Sequence, residues 1–263
     1  MNIFDRKCPF CGKEKQVYEE GAVSGRTTYV PCKCEIKEDE LRKAEAQKKI
    51  AEGKRIYRDI LIRESGLVGR LTEHCFEAIS GHSKAFEAVN DFAKHFIADE
   101  RQENLLLIGS VGTGKTMLAA AIIRYICENC SVSDKQAEKC YDNPYEHIHS
   151  PYCFLTAINL FTSAQNDMLN KSNETVQRCK NSKLLVIDDI GTNEKISEFK
   201  ESTLLDIIDS RYVNKLPTII TSNLNAEQLK GAIGQRSYDR LKDGATIITI
   251  SEQSHRKPKN IIK

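Results

Sequence analysis

No apolar run in the sequence approaches 18 residues, so no membrane-spanning helix is expected. A secretory signal is missing too, because Met1 to Lys7 has no apolar core. Charge of one sign is scarce: the formal net charge is only +2, which excludes a generally basic, DNA-coating protein. Any nucleic-acid contact must come from a local patch, and the basic excess lies on the amino-terminal arm. Internal repeats and low-complexity tracts are lacking, which excludes a solenoid or a repeat array. The rest is an ordinary globular composition, 40% hydrophobic and 29% charged over 263 residues. That length fits one full-sized domain with a small appendage. The 10 cysteines are the exception. With no secretory signal the expected location is cytoplasmic and reducing, so they read as metal ligands or core residues rather than disulfides.

Gly109-Ser110-Val111-Gly112-Thr113-Gly114-Lys115-Thr116 fits G-x-x-x-x-G-K-[ST], the Walker A phosphate loop. Its flanks suit the motif, with a short apolar strand before it (Leu105–Ile108) and an alanine- and isoleucine-rich helix after it (Met117–Ile126). Glycine-permitted turns and helix-start amides then converge on the phosphates. Lys115 would neutralise β/γ-phosphate charge, and the Thr116 hydroxyl would coordinate Mg²⁺. The pattern predicts nucleoside triphosphate binding, with ATP and Mg²⁺ as cofactors.

Leu184-Leu185-Val186-Ile187 runs into Asp188-Asp189, placing two carboxylates at the carboxyl end of an apolar strand. Open α/β sheets bind ligands there. Alone this could be a buried strand capped by acidic turn residues; paired with the phosphate loop it predicts hydrolysis. Asp188 would hold Mg²⁺, and Asp189 would polarise the attacking water.

Strands and helices alternate from about residue 70 onward, which predicts a parallel, doubly wound sheet. The expected division is a cysteine module over 1–35, a charged connector helix over 36–69, and an ATPase domain over 70–263. In the first of these, Cys8-Pro9-Phe10-Cys11 and Cys32-Lys33-Cys34 offer four soft ligands in two close pairs, enough for tetrahedral zinc. A module of this size buries too little surface to fold alone, so zinc would supply much of its stability. The competing reading is a dithiol redox pair at Cys8 and Cys11, although no thioredoxin-like pattern surrounds them. Cys127, Cys130, Cys140, Cys153, His147 and His149 match no familiar spacing, and a second metal site there competes with ordinary core roles. Cys75 and Cys179 read as structural.

Three further segments carry a resemblance. Pro217 to Asn223 is a strand ending in a polar pair, similar to the sensor 1 position of AAA+ ATPases. Gly234-Gln235-Arg236-Ser237-Tyr238-Asp239-Arg240-Leu241 resembles the box VII segment of DnaC-type helicase loaders, and Ser254-His255-Arg256 resembles their sensor 2. With Ile187 to Gly191, the run from Ser182 to Arg256 resembles the bacterial and phage DnaC/DnaI-type loaders of the IstB/DnaC-like group. The resemblance implies an AAA+ P-loop fold and an ATP-dependent homo-oligomer. It also implies a DnaB-type replicative helicase as partner and loading onto single-stranded DNA during replication initiation or restart. Asn223 would orient water or sense the γ-phosphate. Arg240 would be the arginine finger, Arg236 its helper, and Arg256 a sensor of the same subunit's nucleotide. Phe76 and Ile79 could pack near adenine. Lys171, Arg178, Lys180 and Lys183, with Phe161 as a stacking surface, are the candidates for single-stranded DNA. Asp189 stands where many such ATPases carry glutamate, and the shorter arm implies slow, switch-like turnover. The 131–150 stretch is longer than the group usually has. Two rival functions remain: an IstB-type transposition helper ATPase, and a non-hydrolysing nucleotide-gated adaptor.

Overall fold

A computed structural model describes residues 6–20, 27–76, 84–99, 103–144, 148–191 and 197–250. The chain forms two compact units, one of residues 1–57 with 132–146, the other of 58–131 with 147–263. Ile79, His147 and Arg256 lie outside the described residues.

In the first unit an antiparallel hairpin, β1 (Val17–Glu20) and β2 (Thr27–Tyr29), precedes helix α1 (Lys33–Glu64). The helix begins inside the cysteine module rather than after it. Cys32 precedes the first turn, and Glu35, three residues on, reaches back so that its Oε2 accepts the Cys32 amide at 2.9 Å. That is half of a capping box, and it fixes the helix start at the second cysteine pair. The 131–150 stretch contributes helix α4 (Asp134–Asp142), started by a complete capping box between Ser133 and Gln136. It lies so close to α1 that a Cβ on Gly53 would sit 2.0 Å from the Ala137 carbonyl oxygen. Lys49–Asp142 and Lys54–Asp134 ion pairs, at 2.9 and 2.8 Å, flank this contact.

The second unit is built on five parallel strands in the order β4-β5-β6-β3-β7. They are β3 (Leu105–Gly109), β4 (Tyr152–Thr156), β5 (Leu184–Asp188), β6 (Thr218–Ser222) and β7 (Thr246–Ile250). Strands β3 and β5 are apolar almost throughout, and β6 is buried along its length, because both faces of the sheet are covered. Alternate residues divide between the faces. Leu106, Ile108, Leu185, Ile187 and Ile220 join one core with α5 (Ala157–Leu169), α6 (Glu174–Asn181), α7 (Glu198–Val213), α8 (Ala226–Ile233) and α9 (Gln235–Lys242). Helices α2 (Lys84–Ile97) and α3 (Lys115–Asn129) pack on each other, and a 3₁₀ turn at Gly69–Glu73 rests on α3. Helices α8 and α9 are divided at Gly234, whose φ of 84° leaves the helical region. None of the described helices is long and apolar enough to cross a membrane.

Candidate nucleotide site

The phosphate loop joins β3 to α3 at the carboxyl end of β3, between β6 and β7. Gly109 ends β3 against Ile250 of β7, where a Cβ would lie 2.3 Å from the Ile250 carbonyl oxygen. The first glycine of the motif is therefore demanded by strand packing. Gly114 has φ 92°, and this left-handed turn carries the chain straight into α3. The first amides of that helix then face the loop, and they are the groups that bind anions at a helix start. Lys115 is buried, and its Nζ donates to the carbonyls of Gly109 and Ser110 at 2.8 Å each. The ammonium thus sits within the curl of the loop. Thr113 braces the turn by donating to the Ser110 carbonyl at 2.9 Å.

Thr116 Oγ1 donates to Asp188 Oδ2 at 3.1 Å, so the last motif residue meets the end of β5. The other carboxylate oxygen, Oδ1, accepts from Thr221 Oγ1 at 2.6 Å. Thr221 in turn accepts the Asp189 amide at 2.8 Å. One hydroxyl of β6 therefore pins both aspartates. Sequence reasoning had only the strand end at Asn223 and missed Thr221, because its role depends on β6 lying between β3 and β5. Burial pushes the Asp188 carboxyl above the usual carboxylate range, against the pull of the Thr221 and Thr116 hydroxyls. A hydroxyl and a buried carboxylate at this separation are hard oxygen donors of the kind Mg²⁺ takes. Asp189 is exposed and has φ 55°, a left-handed conformation that aspartate tolerates better than most residues. Asn223 follows β6 and is exposed at the same end of the sheet.

The arginines of α9 lie elsewhere. Asn104, just before β3, donates to the carbonyls of Arg240 and Leu241 and accepts the Thr218 amide. Arg240 is thus at the amino end of the strands, while the phosphate loop follows their carboxyl end. The five residues of β3 separate them by about 16 Å at a rise of ~3.3 Å per residue. Arg240 pairs with Asp209 of α7 and lies over the Tyr212 ring, with 4.8 Å from its guanidinium carbon to the centroid. Arg236 reaches the other oxygen of Asp209 at 2.7 Å.

Other expected residues are distributed differently. Phe76 is buried among Phe86 and Tyr125, with ring centroids 5.7 and 5.4 Å away. Phe161 belongs to the core, so it offers no face on which a base could stack. Among the basic candidates Arg178 donates to the Glu64 carbonyl and Lys180 pairs with Asp206 at 2.7 Å, whereas Lys171 and Lys183 are exposed. The sulfurs of Cys8, Cys11, Cys32 and Cys34 all lie within 4.8 Å of one another. A tetrahedral zinc with bonds of ~2.3 Å needs sulfurs ~3.8 Å apart, so this set fits the ion. Gly12 turns the first pair: its φ is 69° and its amide bonds the Cys8 carbonyl. Below them a buried Lys15–Glu35 pair at 2.6 Å ties the hairpin to the helix start, and Lys15 holds the Glu35 carboxyl below its usual range. The described residues contain no second group of three or more metal-ligating atoms, so Cys127, Cys130, Cys140, Cys153 and His149 form no such site.

Residues 105–242 match the ATPase family associated with various cellular activities (AAA). The chain belongs to the AAA family. Relatives include the replicative helicase loader DnaC of Buchnera aphidicola subsp. Baizongia pistaciae, 27% identical over 67% of this chain and 65% of that protein. The replicative helicase loader DnaI of Bacillus subtilis is 24% identical over 86% of this chain and 67% of its own length. DnaC of Escherichia coli K12 is 26% identical, over 67% and 62%. The matches thus span about two thirds of these relatives. A crystal structure of the DnaC helicase loader superposes with a TM-score of 0.56 at 21% identity, covering 70% of this chain and all of that one. One of DnaI gives 0.54 at 22%, covering 74% of this chain and all of that one. The DnaC/DnaI-type resemblance carried by the motifs is therefore shared by the relatives and by the AAA+ P-loop fold.

Proposed function

We propose that this AAA protein is an ATP-dependent loader that places a DnaB-type replicative helicase on single-stranded DNA. The observation that carries the reading is a divided site. Lys115, Thr116, Asp188 and Asp189 gather at one end of the sheet, and Arg240 stands at the other end, beyond reach of the same chain's phosphates. Such a site is completed only when a second copy docks, which couples turnover to assembly. Relatives named as replicative helicase loaders support a helicase as the partner of that assembly.

In this reading Lys115 leaves the Gly109 and Ser110 carbonyls for the β/γ-phosphates, and Thr116 with Asp188 holds Mg²⁺. Bound MgATP supplies the transferable phosphoryl group. Asp189, fixed at its amide by Thr221, orients and deprotonates water, with Asn223 beside it. Arg240 of the neighbour, assisted by Arg236, meets the developing charge, a contribution of roughly 10³–10⁵-fold in comparable enzymes. Arg256 would sense the same chain's nucleotide. The cysteine arm would hold zinc and dock on the helicase, and hydrolysis would release the loader. The deciding measurement is ATP turnover with and without single-stranded DNA and the replicative helicase encoded in the same genome, together with co-purification of the two. Stimulated turnover and capture are expected. A protein that neither captures the helicase nor hydrolyses ATP in its presence sinks the proposal.

A further inference from the structure

Arg240 is not left to find its own position. Asp209 of α7 pairs with it most closely at Nε, the one guanidinium nitrogen that points back along the side chain, as an ion contact and not a hydrogen bond. Among the described residues its two terminal nitrogens make no hydrogen bond. Tyr212, one turn after Asp209 on α7, has the Arg240 guanidinium carbon over its ring and gives the side chain a second contact. The ring is itself anchored, since Tyr212 Oη donates to Asp243 Oδ2 at 2.7 Å. Asp209 also takes Arg236 on its second oxygen, so one carboxylate holds two arginines.

We propose that Asp209 and Tyr212 form a cradle that positions Arg240 for a phosphate of a neighbouring subunit. This rests on the divided-site reading above. The geometry favours presentation over restraint. Arginine recognises phosphate with paired N–H groups, and among the described residues Asp209 makes no hydrogen bond to the terminal pair. A restraining carboxylate would cover that pair. The cradle also lowers the entropy lost when the long side chain is immobilised on contact, because the rotamer is chosen beforehand. Asp209 and Tyr212 act through Arg240 and are positioning residues. A cavity of ≈ 450 Å³ opens beside Tyr212, Leu216 and Arg240, leaving room for a neighbour's surface at this end of the sheet.

The test uses the full-length chain in its assembled state. Asp209→Asn and Tyr212→Leu should each lower turnover by roughly tenfold or more, a part of the effect of removing a finger outright. ATP affinity should stay parental, so kcat falls while nucleotide binding holds. Tyr212→Phe keeps the ring and should restore most of what Tyr212→Leu loses. Mixed oligomers then separate positioning from general damage. Asp209→Asn subunits mixed with Lys115→Ala subunits should regain turnover, because one supplies an intact phosphate loop and the other an intact cradle. Asp209→Asn mixed with Arg240→Ala should not, because neither has a positioned finger. Parental turnover in Asp209→Asn, or rescue by Arg240→Ala subunits, overturns the cradle while leaving the divided site standing. A parental protein without turnover under any condition overturns the divided site and the cradle with it.

Discussion

Asp188 is the residue where fold and function pull against each other. It is 3% exposed, and among the described residues its hydrogen-bond donors are two threonine hydroxyls. Burial raises its pKa in the folded protein. A raised folded pKa means that its contribution to stability is fully present below the unfolded pKa and is lost as pH rises through the folded value. The ion-free protein should therefore carry a cost at neutral pH that Mg²⁺-nucleotide removes. Asp188→Asn should raise the melting temperature of the ion-free protein by a few degrees, the shift that about 1 kcal/mol gives in a domain of this size. The same variant should lose the stabilisation that Mg²⁺ adds to ATP. Thermal melts at neutral and mildly acidic pH check both, and an Asn variant that melts lower than the parent at neutral pH would refute the assignment. Lys115→Ala should abolish nucleotide binding, because no other phosphate-loop side chain is cationic. Asp189→Asn should bind ATP normally and lose hydrolysis, and parental hydrolysis in that variant would remove Asp189 from its role.

At the scale of elements the chain is stitched by one buried cation. Arg211, at the end of α7, is 1% exposed and has no carboxylate partner among the described residues. Its guanidinium donates to the carbonyls of Cys179 and Ser182 at 2.7 Å each, to the Pro217 carbonyl at 2.5 Å and to Thr218 Oγ1 at 2.9 Å. These contacts join the end of α6 and the approach to β5 to the loop that enters β6, and burial pushes the pKa down to about 10. Arg211→Met should cost about 3 kcal/mol, since it leaves several buried carbonyls unpaired at the ~1–3 kcal/mol scale for each such group. Urea unfolding measures this, and a variant within 0.5 kcal/mol of the parent, roughly the scale of neutral surface changes, would show that water takes over the carbonyls. No local sequence signal announces such a residue. The phosphate loop, the Asp188 strand and the alternation of strands and helices were legible because each is written in adjacent residues. Helix α6 was not, because its polar face outweighs its two buried residues, Val176 and Cys179. Cys32-Lys33-Cys34 was legible as a pair of ligands but not as a helix start. Asp209 and Thr221 were not legible at all, since their partners lie 27 or more residues away in the chain.

For the molecule as a whole, the two units should differ in what keeps them folded. The AAA unit buries a continuous apolar sheet between helices. The amino-terminal module leaves Phe10, Ile36 and Leu41 exposed by 56, 44 and 51%, so apolar burial contributes little to it. Its fixed points are the Lys15–Glu35 pair and the four sulfurs, and Cys32 is already drawn below its ordinary thiol value by the Cys34 backbone amide and the Cys11 thiol. Zinc takes thiolates, so binding would displace protons to solvent, with Cys32 the readiest to give one up and Cys11 held up at about 11. The full-length protein should carry one Zn²⁺ per chain, and Cys11→Ser should reduce that content sharply. Chelation should open the segment before α1 to proteolysis and abolish helicase capture, with ATP affinity unchanged because the phosphate loop depends on strands of the other unit. Loss of ATP affinity in step with zinc would contradict this separation. Freshly purified protein with no zinc by elemental analysis, or capture of helicase at full strength after zinc removal, would refute the metal's role in docking.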